Sequence, residues 1–200
     1  MKVSEYEGVI KKCYKDEKLI DELVAQKIDF ISGQKIEFLL AEKWKEIIDQ
    51  LRNHNLKVED MSYLQFPNLK LVVDEDTMFD YIKERRSLII VLSLLCPVYT
   101  YYYKYSLLAQ AGVGFIKIGE VNYLKNNILQ KFIPNMHGID VKKLIESTFL
   151  DYRYESHYFL TINRFDFVAP YKSADQSKNS TGYSFFEFLF ESYPLDGLWD

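Results

Sequence analysis

Between Ser87 and Tyr105 the chain carries two strand signatures of different kinds, separated by a single break. Leu88 to Leu95 is an apolar run of strand length, polar only at Ser93, and such a run fits a central strand buried on both faces. Cys96-Pro97 ends it. From Val98 the residues alternate strictly, with Tyr99, Tyr101, Tyr103 and Tyr105 on one side and Val98, Thr100, Tyr102 and Lys104 on the other. A sheet is therefore the centre of the expected fold.

The flanks supply further elements. Ser4 and Glu7 form a capping box ahead of Tyr6, Val9, Ile10, Cys13 and Tyr14, which recur at helical spacing. Asp16 caps a second helical stripe that stops at Ser32-Gly33, and a third runs from Ile36 through Trp44 to Leu51, so the two read as an antiparallel helical hairpin. Leu69 to Val73 reads as a strand, Thr77 to Arg85 as a brief helix, and Val113 to Ile118 as a strand. Asn122 and Asp140 each sit where an N-cap belongs, the first ahead of a helix ending at Pro134, the second ahead of Val141, Leu144, Ile145 and Thr148. Alternation returns from Asp151 to Phe167, read as one long strand or a hairpin. Lys172 to Gly182 is polar and aperiodic, a loop; Ser184 with Glu187 reads as the start of an aromatic helix, while the alternation of Glu187 and Glu191 with Phe188 and Phe190 leaves a strand open; the tail at Leu195 to Asp200 is expected to dock Trp199.

Composition excludes several classes. Apolar residues at 48% and charged residues at 27% of 200 predict one folded α+β domain over 1–200, with a helical segment over about 4–54 and the sheet within about 56–200. The sheet is expected to be mainly antiparallel, of about five strands, with further helices. No apolar stretch follows Met1 to Ser4, and Ser87 to Tyr103 falls short of a spanning helix, so a cytoplasmic protein with no membrane partner is expected. Cys13 and Cys96 read as buried thiols, and Asn179-Ser180-Thr181 as a chance sequon. The formal net charge of −4 concentrates acid at the C-terminal end, where residues 151–200 carry 4 basic and 8 acidic side chains. That balance argues against nucleic acid as a partner.

Candidate chemistry is sparse. Gly112, Gly114 and Gly119 lack the Lys and Ser or Thr of a P-loop and read as turn glycines. Asp140-Val141-Lys142 has a spacing found in metal-dependent nucleases, but helix capping accounts for Asp140. His54, His137 and His157 have no metal-ligand spacing, so neither metal nor cofactor is expected. The most site-like set is Asp151, Arg153, Glu155 and His157, which a strand would place on one face; a solvated strand face is the simpler account. Tyr99, Tyr101, Tyr103 and Tyr105 read first as a core face and second as a docking strip.

The leading functional expectation is a non-enzymatic interaction module, in its sharpest form a bacterial inhibitor or immunity-type protein that docks a basic protein partner such as a toxin. Two rivals stand beside it. One is a small-ligand protein or hydrolase-like enzyme using the Asp151 to His157 face; the other is a structural subunit of a larger assembly.

Overall fold

The computed structural model describes residues 2–15, 39–54, 56–62, 68–122, 140–165 and 183–190. The chain begins with α1 (Val3–Lys15) and, after α2 (Leu39–Asn53), enters a run of strands: β1 (Lys57–Asp60), β2 (Asn68–Phe79), β3 (Ile82–Ser93), β4 (Val98–Ala111) and β5 (Gly114–Asn122). These pair antiparallel in sequence order. After α3 (Val141–Thr148) comes the two-residue β6 (Arg153–Tyr154), which lies parallel to the start of β4 and makes the sheet mixed. α4 (His157–Ile162), a small pair β7 (Arg164–Phe165) and β8 (Tyr183–Ser184), and α5 (Phe185–Phe190) complete the fold. The α+β class is thus the observed one, with six strands in the main sheet.

Helices cover both faces of the sheet. On the first face, Trp44, Ile47 and Leu51 of α2, Val141 and Ile145 of α3 and Phe149 at its C-cap pack on Leu71, Ile90, Leu92 and Tyr99. On the second, Tyr6 and Ile10 of α1, Leu160 of α4 and Phe185, Leu189 and Phe190 of α5 pack on Ile89, Val91, Val98 and Tyr102. The apolar run of β3 therefore has partners on either side, and each fully buried Leu, Ile or Val is worth roughly 1.5–3 kcal/mol. Cys96 is a buried thiol in the second core, not in a disulfide. Polar ties fix the layers: Trp44 Nε1 donates to Asp60 Oδ2 at 3.3 Å, the Tyr6 hydroxyl to Glu155 Oε2 at 3.0 Å, and the Asn68 side-chain amide to the Phe190 carbonyl. Asp140 caps α3 as expected, accepting from Lys143 N at 3.0 Å.

Two expected elements differ. The brief helix over Thr77 to Arg85 is a hairpin, turning through Asp80 and Tyr81, with Phe79 opposite Ile82. Asp80 has φ of 50°, a conformation aspartate tolerates and two-residue hairpin loops need. Cross-strand ion pairs make up for weak strand propensity: Arg85 Nε reaches Asp76 Oδ1 at 2.7 Å and Lys83 Nζ reaches Asp76 Oδ2 at 3.2 Å. Such partly exposed pairs contribute about 0.2–1 kcal/mol each, enough to fix register but not to build a core. Nor is the described part of the Asp151 to Phe167 segment, Asp151 to Phe165, one strand or a simple hairpin. It splits into β6, α4 and β7, because His157 and Leu160, three residues apart, are buried together as a helix requires.

The second helix from Asp16, the helix after Asn122, the loop Lys172 to Gly182 and the Trp199 tail lie outside the described residues. No helix among the described residues is long and apolar enough to cross a membrane.

Candidate functional site

The long strands outrun the helices that cover them. On β3 every residue from Ser87 to Ser93 is buried, whereas Lys83 to Arg86 are only half-buried. At this step, on the second face, lies a cleft of about 770 Å³. That volume falls within the range of about 300–1,000 Å³ usual for ligand sites. Its floor is the sheet, and its wall is built by Thr161 of α4, Arg164 of β7, Ser184 of β8 and Phe186 of α5.

Register sets out the floor in rows, because antiparallel partners present their side chains to the same face. Val72, Ile89 and Tyr102 form the inner row; Asp74, Ser87 and Lys104 the next; Asp76, Arg85 and Ser106 the third. Beyond them Leu108 pairs with Lys117 of β5. Among the described residues lining the cleft, Lys70, Arg85, Lys104, Lys117 and Arg164 are basic, while Glu59 and Asp74 are acidic. Asp74 is already engaged: the Ser87 hydroxyl donates to its Oδ1 at 2.6 Å and Arg85 Nη1 stands 3.5 Å from its Oδ2. Arg85 also donates to Asp76, whose carboxyl is held down at about 2, chiefly by that hydrogen bond and further by Lys83. The surplus charge facing the cleft is positive.

No protein-family model, curated protein or solved structure matches this chain.

His157 closes the inner end of the cleft. Its ring stacks on Tyr102 at 4.1 Å between centroids and meets Phe186 edge-on at 4.3 Å, it is 3% exposed, and its Nδ1 has no hydrogen-bond partner. Burial drives its pKa from 6.5 down to about 4, so the imidazole is neutral at pH 7.

The other expected site residues do not gather with it. Asp151 is exposed in the turn after α3, and Arg153 is exposed on β6. Glu155 is half-buried, accepting from the Tyr6 hydroxyl and from Ser156 N, which makes it a tie between α1 and α4. Only His157 of the four lines the cleft. The tyrosine face belongs to the first core. Tyr99 is wholly buried, with its hydroxyl donating to Glu146 at 3.2 Å, and Tyr101 and Tyr103 pack against the same cluster. Tyr154 lies 5.0 Å from Tyr101 and 5.7 Å from Tyr99 between ring centroids. Tyr105 is half-buried further out. Burial raises the pKa of Tyr101 and Tyr103, both half-buried against the first core.

The cleft's own residues, chiefly Lys104, Lys117, Arg164 and Ser184, were not singled out from sequence. The available signal was Lys104 sharing its strand face with Tyr102; the expected helix over Thr77 to Arg85 hid Arg85 from the same inference. Chemically, the arrangement can neutralise an acid and shelter an apolar group. Ser87 donates to a carboxylate and not to a histidine, so it is not set up as a nucleophile. Among the described residues no group of three or more His, Cys, Asp or Glu side chains could hold a metal ion.

A buried neutral histidine makes stability depend on pH with a definite sign. Between pH 6.5 and about 4 the unfolded chain takes up a proton that the folded protein refuses, so stability is intact above that window and falls as pH drops through it. The steepest loss is about 1.4 kcal/mol per pH unit. Urea unfolding from pH 8 to pH 4 should show this slope, and His157→Phe should remove most of it. An unchanged slope in the variant would contradict the buried, neutral assignment.

Proposed function

We propose that this protein binds a small anionic ligand in the cleft on the second face of its sheet. The observation that carries the reading is the surplus of basic over acidic side chains along a concave surface of ligand-site size, with Asp74 already matched by Arg85 and Ser87. A cleft lined by one sign of charge focuses its field and concentrates ligands of the opposite sign. Hydroxyls of Ser106 and Ser184 stand among the cations and suit the oxygens of an acid group. The reading shares His157 with the small-ligand expectation and moves the rest of the site onto the sheet. A basic protein partner is the less favoured reading, because it rests on the net charge of −4 while the cleft's described lining is positive.

Inorganic phosphate and pyrophosphate, titrated calorimetrically, should bind and weaken with added salt. Lys104→Glu and Lys117→Glu should each weaken binding about tenfold, the equivalent of about 1.4 kcal/mol, with unchanged far-UV circular dichroism. Absence of phosphate and pyrophosphate binding at millimolar concentration would contradict the proposal.

A second reading, a subunit of a larger assembly, is favoured by one further observation. Met78, Phe79, Tyr81 and Ile82 at one hairpin end and Val113, Phe115 and Ile116 at its neighbour are exposed. Monomeric proteins seldom leave contiguous apolar patches of large area in water. Sedimentation at rising concentration should show mass increasing in the wild type and less so in Phe79→Lys; a monomer throughout would remove this reading.

A further inference from the structure

The ends of two hairpins form one apolar tip. Phe79, Ile82, Ala109 and Ile116 stand level in a single row across β2, β3, β4 and β5, so they share the first face. Alternation turns Met78 and Phe115 to the second face. Tyr81 and Val113 occupy the two turns, which the Gln110 N–H ties together by donating to the Tyr81 carbonyl at 2.8 Å. Apart from Ala109, every one of these side chains is exposed, Val113 fully. The second hairpin reaches further than the first: Ala109 is level with Ile82, and the strand runs on through Gln110 and Ala111 before it turns at Gly112-Val113. That outermost turn is uncharged, and it stands about 10 Å beyond the Ala109 row at about 3.3 Å per residue.

We propose that this tip docks into the surface of a zwitterionic phospholipid bilayer. Apolar side chains on both faces and in both turns are removed from water only by surroundings on every side, which a fluid interface supplies and a flat protein surface does not. Either face alone offers only a few large side chains, well short of the roughly 800 Å² that each partner buries in a specific complex. The depth agrees as well, because interfacial segments bury their apolar side about 5–10 Å deep at the boundary of headgroups and acyl chains. Behind the tip the charges are matched in sign, Asp76 with Lys83 and Arg85 and Glu84 with Arg86, which complements headgroups that carry both a phosphate and a quaternary amine. Asp80 lies in the shorter turn, at the level of those headgroups. Docking of this kind needs no spanning helix. The cleft plays no part in it, and the tip is the same end that a larger assembly would cover.

The experiment is flotation of the full chain with phosphatidylcholine vesicles at low and high salt, beside sedimentation without lipid. Wild type should float at both salt concentrations. Val113→Asp, at a side chain fully exposed in the folded protein, should weaken partitioning by about tenfold, the effect of withdrawing one valine from the apolar layer. No flotation of the wild type would overturn the proposal, as would flotation that requires anionic lipid and disappears at high salt. Equal flotation of Val113→Asp would overturn the placement of the tip. Self-association without lipid binding would also overturn the proposal and leave the assembly reading standing.

Discussion

The structure depends on burying the inner half of β2, β3 and β4 from both sides. These strands have 12, 12 and 14 residues, a span of roughly 40 Å or more at about 3.3 Å per residue. The helices packed on them are shorter in length: α1 and α2, with 13 and 15 residues, span only about 20 Å at about 1.5 Å per residue, and α3 has 8 residues and α4 and α5 have 6 each. Among the described residues, coverage stops part-way along the sheet. Where it stops, Leu88 to Leu92 give way to Lys83 to Arg86, and a pattern apolar at every position gives way to ion pairs between neighbouring strands. The gain from burying the inner rows outweighs by several-fold what the outer ion pairs contribute, so the core sets the sheet and the charges set its register.

The candidate site follows from that step. A helical layer ending over a continuing sheet leaves a concave corner, and on the second face the corner is walled by α4, the β7–β8 pair and the start of α5. Alternation then decides what faces the corner. Residues that continue the apolar row outward on this face are Asp74, Ser87 and Lys104, and then Asp76, Arg85 and Ser106. On the first face the same strands turn their tyrosines to α3 and β6, where Tyr99 and Tyr154 pack against one another. Core and cleft thus use opposite sides of β4, and the parity of Tyr102 separates them from Tyr101 and Tyr103.

Much of this was legible from local pattern. The unbroken run before Pro97 marked the doubly buried strand, the alternation after it marked β4, and Asp140 marked the start of α3. The charged stretch from Asp74 to Arg86 hid its hairpin, because weak strand formers and an aspartate in the turn, in place of Asn-Gly, carry little strand signal until cross-strand partners are known. α4 was hidden for a different reason: over six residues, helical and alternating periods overlap. The cleft was least legible. Its lining comes from Glu59 to Phe186, and a net charge of −4 says nothing of where cations gather. Pairing β3 with β4 would have put Arg85 opposite Ser106, beside Lys104, but that needs the register.

The most direct test of this account is a backbone amide NMR titration of the isotopically labelled protein with inorganic phosphate. The account predicts shifts concentrated at Ser87, Lys104, Ser106, Thr161 and Ser184, with Ile145, Glu146 and Leu51 of the opposite helical layer unmoved. Shifts centred on α2 and α3, or none beyond those of matched ionic strength, would contradict it.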